Sequence, residues 1–109
     1  MCKCICNTIC VFSIRLAADV VKDLRKLSAY QRTSVLDEIE KQLKHGPTSP
    51  SRHRKLLVDL LPPWEAEPPI WELRIGDFRV FYDVNEEERT VYVRAVRRKP
   101  AGQTTEDIL

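Results

Sequence analysis

The amino-acid sequence predicts a single α+β domain in which an N-terminal strand and an α-helical hairpin pack on an antiparallel sheet. Two segments between residues 17 and 43 carry apolar side chains at helical spacing. A later segment, residues 71–84, alternates apolar and polar side chains on both sides of Gly76-Asp77, the pattern of a β-hairpin. At 109 residues, the chain has the length of one domain and can bury one core.

The first element is predicted at residues 9–15, which are rich in β-forming side chains.

The cysteines of this chain are confined to its first ten residues. A disulfide framework would spread cysteines along the chain, and a metal site would require a second, distant ligand pair. We therefore interpret residues 1–8 as a short extension and residues 9–109 as the folded domain, with reduced cysteines acting as small apolar side chains. All four cysteines lie in the first ten residues: Cys2, Cys4, Cys6 and Cys10.

Two helices are predicted next, and together they form an αα-hairpin whose apolar sides need a sheet to cover them. Ser28 and Gln31 have the spacing of a capping box, which predicts the start of the second helix. Gly46-Pro47 predicts its end. The predicted apolar stripes are Ala17, Val20, Val21, Leu24 and Leu27 in the first helix and Leu36, Ile39 and Leu43 in the second.

The remaining strands are predicted in the second half of the chain. Residues 56–61 suit a short edge strand, and the proline-rich residues 62–69 suit a surface loop. Glycine at the first position of a two-residue turn is typical of type II′, so Gly76-Asp77 sets the register of the hairpin. That register pairs Ile75 with Phe78, Leu73 with Val80 and Trp71 with Tyr82, which makes one face apolar.

A third strand is predicted over residues 90–97, after an acidic turn at 85–89. Alternation along this strand places Val91, Val93 and Ala95 on the apolar face. The tail, residues 104–109, suits a last short helix or a docked arm.

The hairpin register also places arginines side by side on the opposite face. Arg74 lies directly across from Arg79, and Arg94 projects from the next strand on the same face. Like charges in opposed positions destabilise a sheet, so two interpretations compete. Either Glu72 and Asp83 neutralise the arginines through surface ion pairs, or the face is kept cationic to bind phosphate.

The charge pattern favours phosphate binding more than the net charge does. The formal net charge is only +2, but basic residues cluster at 52–55 and 94–99, whereas an acidic run occupies 83–88. The basic run Arg97-Arg98-Lys99 is expected to leave the last strand toward the cationic face.

Several classes of function are excluded by what the sequence lacks. No apolar run approaches the roughly 18 residues of a membrane span, and the apolar start leads into Arg15 without the pattern of a signal peptide. We therefore expect a cytoplasmic protein with no membrane partner. Metal-ligand spacings and phosphate-binding glycine loops are absent, so we expect neither a metal nor another cofactor.

The sequence resembles the RelE/ParE toxins most clearly in two blocks. These are Trp71-Glu-Leu-Arg-Ile-Gly-Asp-Phe-Arg-Val-Phe-Tyr-Asp-Val84 and Val91-Tyr-Val-Arg-Ala-Val-Arg-Arg-Lys99. The preceding strand and helices have the family's order, so the resemblance extends over roughly residues 9–99. It implies a RelE-like, microbial-RNase-like fold and a cognate antitoxin as partner. It also implies action either on mRNA at the ribosome or on DNA gyrase.

The resemblance further implies which side chains form the site. Arg74 and Arg79 match the family's basic sheet residues, and Arg98 or Lys99 matches the basic residue that ends the last strand. These four are the candidate catalytic residues, with Lys99 a candidate base and His53 a candidate acid for attack by the RNA 2′-hydroxyl. The candidate RNA-binding residues are Arg52, His53, Arg54, Lys55, Arg94 and Arg97.

Three functions follow as hypotheses. The first is the toxin of a type II toxin-antitoxin system that cuts mRNA on the ribosome and so inhibits translation. The second is a ParE-like gyrase inhibitor without nuclease activity. It is favoured by Glu72, where the nuclease has lysine, and by Thr104 and Thr105, where the nuclease carries a tyrosine. The third is a degenerate toxin fold that only binds a partner chain.

Overall fold

The computed structural model describes residues 11–58, 62–100 and 102–109. The four cysteines and the predicted extension, residues 1–8, lie outside these ranges. Within them, no helix has both the length and the apolar character needed to cross a membrane. The elements in chain order are β1 (Ser13–Leu16), α1 (Ala18–Arg25), α2 (Ala29–Leu43), β2 (Arg54–Leu57), β3 (Ile70–Ile75), β4 (Phe78–Asn85), β5 (Thr90–Arg98) and α3 (Thr105–Ile108).

These strands form one five-stranded sheet in the order β1-β5-β4-β3-β2. The pairs β2-β3, β3-β4 and β4-β5 are antiparallel, whereas β1 pairs with β5 in parallel. Parallel pairing requires a long crossover between the two strands, which the intervening helices and strands provide. The predicted α+β fold is thus confirmed, with one parallel strand at the edge of an otherwise antiparallel sheet.

The helical hairpin forms as its local sequence predicts. Ser28 Oγ accepts a hydrogen bond from Gln31 N–H at 3.1 Å, and Gln31 Oε1 accepts one from Ser28 N–H at 3.3 Å. This capping box satisfies backbone donors that would otherwise lack partners at the start of α2. The guanidinium of Arg32 donates to the carbonyls of Leu24 and Leu27, both at 3.0 Å, and so ties α2 to the end of α1.

The core lies between the helices and one face of the sheet. Val35 takes a core position that the predicted stripe omitted, while Val21 is exposed. Tyr82 is the largest fully buried side chain, and its hydroxyl donates to the carbonyl of Pro47 at 2.6 Å. The buried core residues are Phe12, Val20, Leu24, Val35, Ile39, Leu43, Trp71, Leu73, Val80, Tyr82, Val91, Val93 and Val96.

The predicted hairpin register is confirmed in full. β3 and β4 pair Ile75 with Phe78, Leu73 with Val80, and Trp71 with Tyr82. Gly76 has a φ of +56°, a left-handed conformation that favours glycine and that the first residue of a type II′ turn requires. The turn therefore fixes which side chains of the two strands lie opposite each other.

The predicted face of Ala95 is wrong because β5 contains a bulge. Pairing with β4 skips one residue, Arg94, so the alternation of faces changes after Val93. Ala95 is buried on the face away from the helices, opposite Phe81, and Val96 contributes to the core in its place.

Candidate nucleic-acid interface

Four basic residues occupy directly opposed positions near the turn end of the sheet, on the face away from the helices. Arg74 pairs with Arg79, and Arg79 pairs with Arg97. The N–H of Arg74 donates to the carbonyl of His53 at 2.8 Å, which places His53, just before β2, opposite Arg74. His53, Arg74, Arg79 and Arg97 together form the cationic row. The Arg74–Arg79 pair was predicted from the turn, and the run that contains Arg97 was expected to point toward the same face; the place of His53 opposite Arg74 was not predicted.

Arg79, at the centre of the row, is held by backbone carbonyls alone. Its Nη1 donates to the carbonyls of Gly76 at 2.7 Å and Phe78 at 2.9 Å. Its Nε is buried without a hydrogen-bond partner, and within the described ranges it forms no ion pair. Carbonyl oxygens orient the guanidinium without cancelling its charge, so Arg79 presents a fixed positive charge at the middle of the row.

Arg74 is more exposed and has a distant carboxylate partner. Its side chain is 49% exposed, and its Nε lies 3.7 Å from Oε1 of Glu72, whose side chain is buried. Glu72 Oε2 accepts a hydrogen bond from Thr105 Oγ1 at 2.7 Å, so helix α3 docks on this face of the sheet. An ion pair at this distance, with one partner in solvent, compensates the charge of Arg74 only in part.

Arg97 ends the row and links it to two other parts of the chain. Its Nη1 lies 2.8 Å from Oδ2 of Asp23 in α1. Its guanidinium also lies 5.4 Å from the ring centre of Trp64, within range of a cation–π interaction. Trp64 packs in turn on Phe81, with ring centres 5.3 Å apart.

The other half of this face is buried and internally neutral. Asp83 accepts two hydrogen bonds from Arg94, at 2.7 and 3.1 Å, and a third from the backbone N–H of Glu67 at 3.3 Å. The hydrogen bond to Asp83 is the main cause that raises the pKa of Arg94 above its ordinary value. The ion-pair interpretation therefore describes Arg94, although in a largely buried form. We refer to Phe81, Asp83, Tyr92 and Arg94, with the loop 62–69 over them, as the covered half.

The other predicted site residues are divided between several places. Arg52 and Lys55 are exposed, and Lys55 pairs with Glu72 on the face of the cationic row. Arg54 instead donates to the carbonyls of Ser49 and Gln42 and to the Gln42 side chain, at 2.9 to 3.1 Å, and so ties its loop to α2.

The expectation that the basic run of β5 leaves toward one face is wrong for Arg98. Because of the bulge, Arg98 pairs with Phe78 on the helix-covered face, and its guanidinium lies 5.1 Å from the Phe78 ring centre. Lys99 follows the strand, and its N–H donates to the carbonyl of Asp77 at 2.7 Å.

Three residues at this face were not identified from the sequence: Asp23, Trp64 and Thr105. Each reaches the sheet from a distant segment, so no local pattern marks its partner. A tryptophan inside a proline-rich loop was the one available signal, because so large an apolar ring needs a surface to pack on. No group of three or more His, Cys, Asp or Glu side chains in the described part of the chain is placed to hold a metal ion.

A sequence-family model for the ParE toxin of type II toxin-antitoxin systems, parDE, matches residues 14–99. The chain belongs to this toxin family. The match covers the sheet except for Ser13, the first residue of β1, and it includes all four members of the cationic row. No curated protein sequence matches the chain.

Solved structures of related toxins share the family fold. The RelBE2 toxin-antitoxin complex of Mycobacterium tuberculosis is 22% identical with a TM-score of 0.67, covering 82% of this chain and 92% of that one. The archaeal RelE–RelB complex of Pyrococcus horikoshii is 20% identical with a TM-score of 0.62, covering 86% and 99%. The isolated E. coli RelE toxin is 17% identical with a TM-score of 0.57, covering 88% and 93%. At these identities the likeness is one of fold.

Proposed function

We propose that this ParE-family toxin is an endoribonuclease that cuts mRNA at the ribosome, and that the cationic row is its RNA site. The observation that supports this most directly is the fixed, unneutralised charge of Arg79 between two further arginines. A guanidinium matches the geometry of a phosphate through its planar fork of donors. Three of them in one line suit a polyanionic strand better than they suit the stability of the sheet.

The row, together with Lys99 just after β5, supplies groups for the chemistry of RNA cleavage. In this reaction the 2′-oxygen forms a bond to phosphorus while the bond from phosphorus to the 5′-oxygen breaks. A base takes the proton of the 2′-hydroxyl, and an acid gives a proton to the leaving oxygen. We assign the acid to His53, which lies opposite Arg74, and the base to Lys99. Arg74 and Arg79 would stabilise the charge that develops on the phosphoryl oxygens.

Partners follow from the same proposal. Two of the similar structures are complexes of a toxin with its antitoxin, and we propose that a cognate antitoxin likewise neutralises this chain. Dependence on the ribosome is the activity that the resemblance to RelE-type toxins implies. It would place the protein in the cytoplasm together with translating mRNA.

Replacement of Arg79 tests the proposal. We expect Arg79→Gln to lower the rate of cleavage of ribosome-bound mRNA by about 100-fold or more, the usual cost of losing one charge-stabilising donor. Cut sites are mapped as new 5′ ends, both in cells that express the toxin without antitoxin and with purified ribosomes. Arg25→Gln is the matched control, because Arg25 is exposed on α1 and distant in sequence from the row. Normal cleavage by folded Arg79→Gln protein would contradict the proposal.

Inhibition of DNA gyrase is the second candidate, and the match to the ParE model is the observation that favours it. A supercoiling assay with purified gyrase separates the two functions. Inhibition of supercoiling, together with intact transcripts in the ribosome assay, would replace the nuclease proposal with this one.

A further inference from the structure

Two neighbouring hollows open on the helix side of the sheet, at the end where the cationic row lies. The first has a volume of about 380 Å³ and lies between the end of α1 and the end of β5. The second has a volume of about 270 Å³ and lies between the start of α2 and the turn at Gly76-Asp77. Phe78 and Arg98 line both hollows, so the two are adjacent.

The first hollow has an excess of positive charge. Lys26, Arg97 and Arg98 line it, and Asp23 is the one carboxylate among its lining residues. Asp23 is already paired with Arg97 at 2.8 Å. Lys26 and Arg98 are exposed and form no ion pair within the described residues, so they are available to an anion. Two cationic side chains beside a shared hollow fit a phosphate group.

The second hollow has the composition of a site for a flat, partly polar ring. Tyr30 borders it and is 83% exposed, an unusual amount for a large aromatic side chain. Ile75 and Phe78 supply apolar surface, while Gln31, Ser34 and the carboxylate of Asp77 supply hydrogen-bonding groups. Exposed aromatic rings of this kind stack on nucleobases, and neighbouring polar groups can contact the edge of the base.

We propose that these hollows form a second nucleotide subsite. Lys26 and Arg98 would bind the phosphate, and Tyr30 would stack on the base, of a nucleotide that flanks the one at the cationic row. Arg97 belongs to the row and also lines the first hollow, so one RNA strand can pass from the row around the end of the sheet. This inference rests on the proposed RNA-directed function. It also assigns Arg98 to substrate binding, away from the reacting phosphate.

Binding of short single-stranded RNAs tests the subsite. The probes are a fluorescent trinucleotide, which reaches little beyond the row, and a hexanucleotide, which extends into the hollows. We expect the double variant Lys26→Gln, Arg98→Gln to bind the hexanucleotide about tenfold more weakly and the trinucleotide almost normally. The dependence of log affinity on log salt should decrease by about one for each lost phosphate contact. The control is Lys22→Gln with Arg25→Gln, which removes the same charge from exposed positions of α1 outside both hollows.

Substitution of Tyr30 tests the stacking part separately. Tyr30→Ala should weaken binding of the hexanucleotide by about fivefold or more, because stacking of one base contributes that much. Tyr30→Phe keeps the ring and should restore the affinity. Since Tyr30 is exposed, neither change should alter the unfolding midpoint.

Failure of this subsite can be distinguished from failure of the proposed function. If the wild-type protein binds the hexanucleotide and the Lys26, Arg98 variant matches its control, the subsite is overturned while the cationic row stands. Equal losses with both probes would also overturn it, because they would indicate a general charge effect. If the wild-type protein binds neither RNA, the subsite is overturned, and cleavage of ribosome-bound mRNA by the wild-type and Arg79→Gln proteins decides the proposed function separately.

Discussion

The cationic row and the covered half lie on the same face of the same sheet, yet their arginines have different hydrogen-bond partners. Arg94 is 18% exposed and donates two hydrogen bonds to one carboxylate, Asp83. Arg79 precedes Phe81 by two positions on the same face of β4, and its hydrogen-bond partners are carbonyl oxygens alone. The carboxylate of Asp83 neutralises the charge of Arg94 within the protein, whereas the charge of Arg79 stays available to an anionic ligand.

The difference shows that the partner of an arginine, more than its position on a strand, indicates its role. A largely buried ion pair is costly to break, because the remaining partner stays desolvated without compensation. A guanidinium bound to carbonyls can be replaced at little cost to the fold, because each carbonyl also accepts hydrogen bonds from water. The two halves should therefore respond differently to substitution, in stability on one side and in activity on the other.

The largest expected effect is on the covered half. Asp83→Asn should lower the free energy of unfolding by about 3 kcal/mol, since it leaves the charge of Arg94 without its carboxylate. Urea denaturation measures this. Arg79→Gln is the comparison variant and should change the same quantity by less than about 0.5 kcal/mol. Equal losses in the two variants would remove the distinction between the halves.

A smaller effect is expected where the loop that carries His53 meets the core. Tyr82→Phe removes the 2.6 Å hydrogen bond to the carbonyl of Pro47 and should cost about 1 kcal/mol. The change lies outside the covered half, so the ion pair there should remain intact. Chemical shifts of the Arg94 side chain in NMR spectra report on that pair.

The same substitution should change the pH dependence of stability. Burial raises the pKa of Tyr82 above its ordinary value of 10.0. Above that pH the unfolded chain loses a proton that the folded chain keeps, so the wild-type stability should fall as pH rises. In Tyr82→Phe, the free energy of unfolding should fall less steeply with pH between pH 10 and the pH at which the protein unfolds. An unchanged slope would mean that other groups govern alkaline unfolding.

The smallest expected effect is at the end of the row. Asp23→Asn removes the carboxylate partner of Arg97. The guanidinium of Arg97 would then lack an ion pair, as that of Arg79 does. Affinity for single-stranded RNA should rise by roughly twofold to threefold at low salt, and the gain should disappear as salt screens the charge. Stability should fall by less than about 1 kcal/mol, as for other partly exposed ion pairs. A loss of affinity would show that Asp23 positions Arg97 for binding.

Local features of this fold were predictable because local chemistry determines them. The capping box of Ser28 and Gln31 and the turn at Gly76 each depend on residues within four positions of one another. The Arg74–Arg79 pair follows from that turn and was predicted with it. Membership of the toxin family was also indicated, because the sheet strands carry most of the resemblance.

Long-range features were not predictable from one sequence. The placement of His53 opposite Arg74 depends on how β2 joins the sheet after an irregular loop. Arg54 was grouped with the candidate RNA-binding residues, but its hydrogen bonds reach back to Gln42 in α2. Trp64 covers Phe81 from a loop whose path no periodicity describes. Each of these contacts joins two segments that are far apart in the sequence, so no local sequence pattern indicates it.

The bulge at Arg94 has a consequence for how the end of β5 tolerates slippage. Regular pairing through Arg94, without the bulge, would shift the rest of the strand by one residue, so that Val96 instead of Arg97 would lie opposite Arg79. The line of opposed arginines would then end at Arg79. The core would lose volume as well, since the smaller Ala95 would occupy the place of Val96. The one extra residue thus sets both the third arginine of the cationic row and the valine that packs in the core beside it.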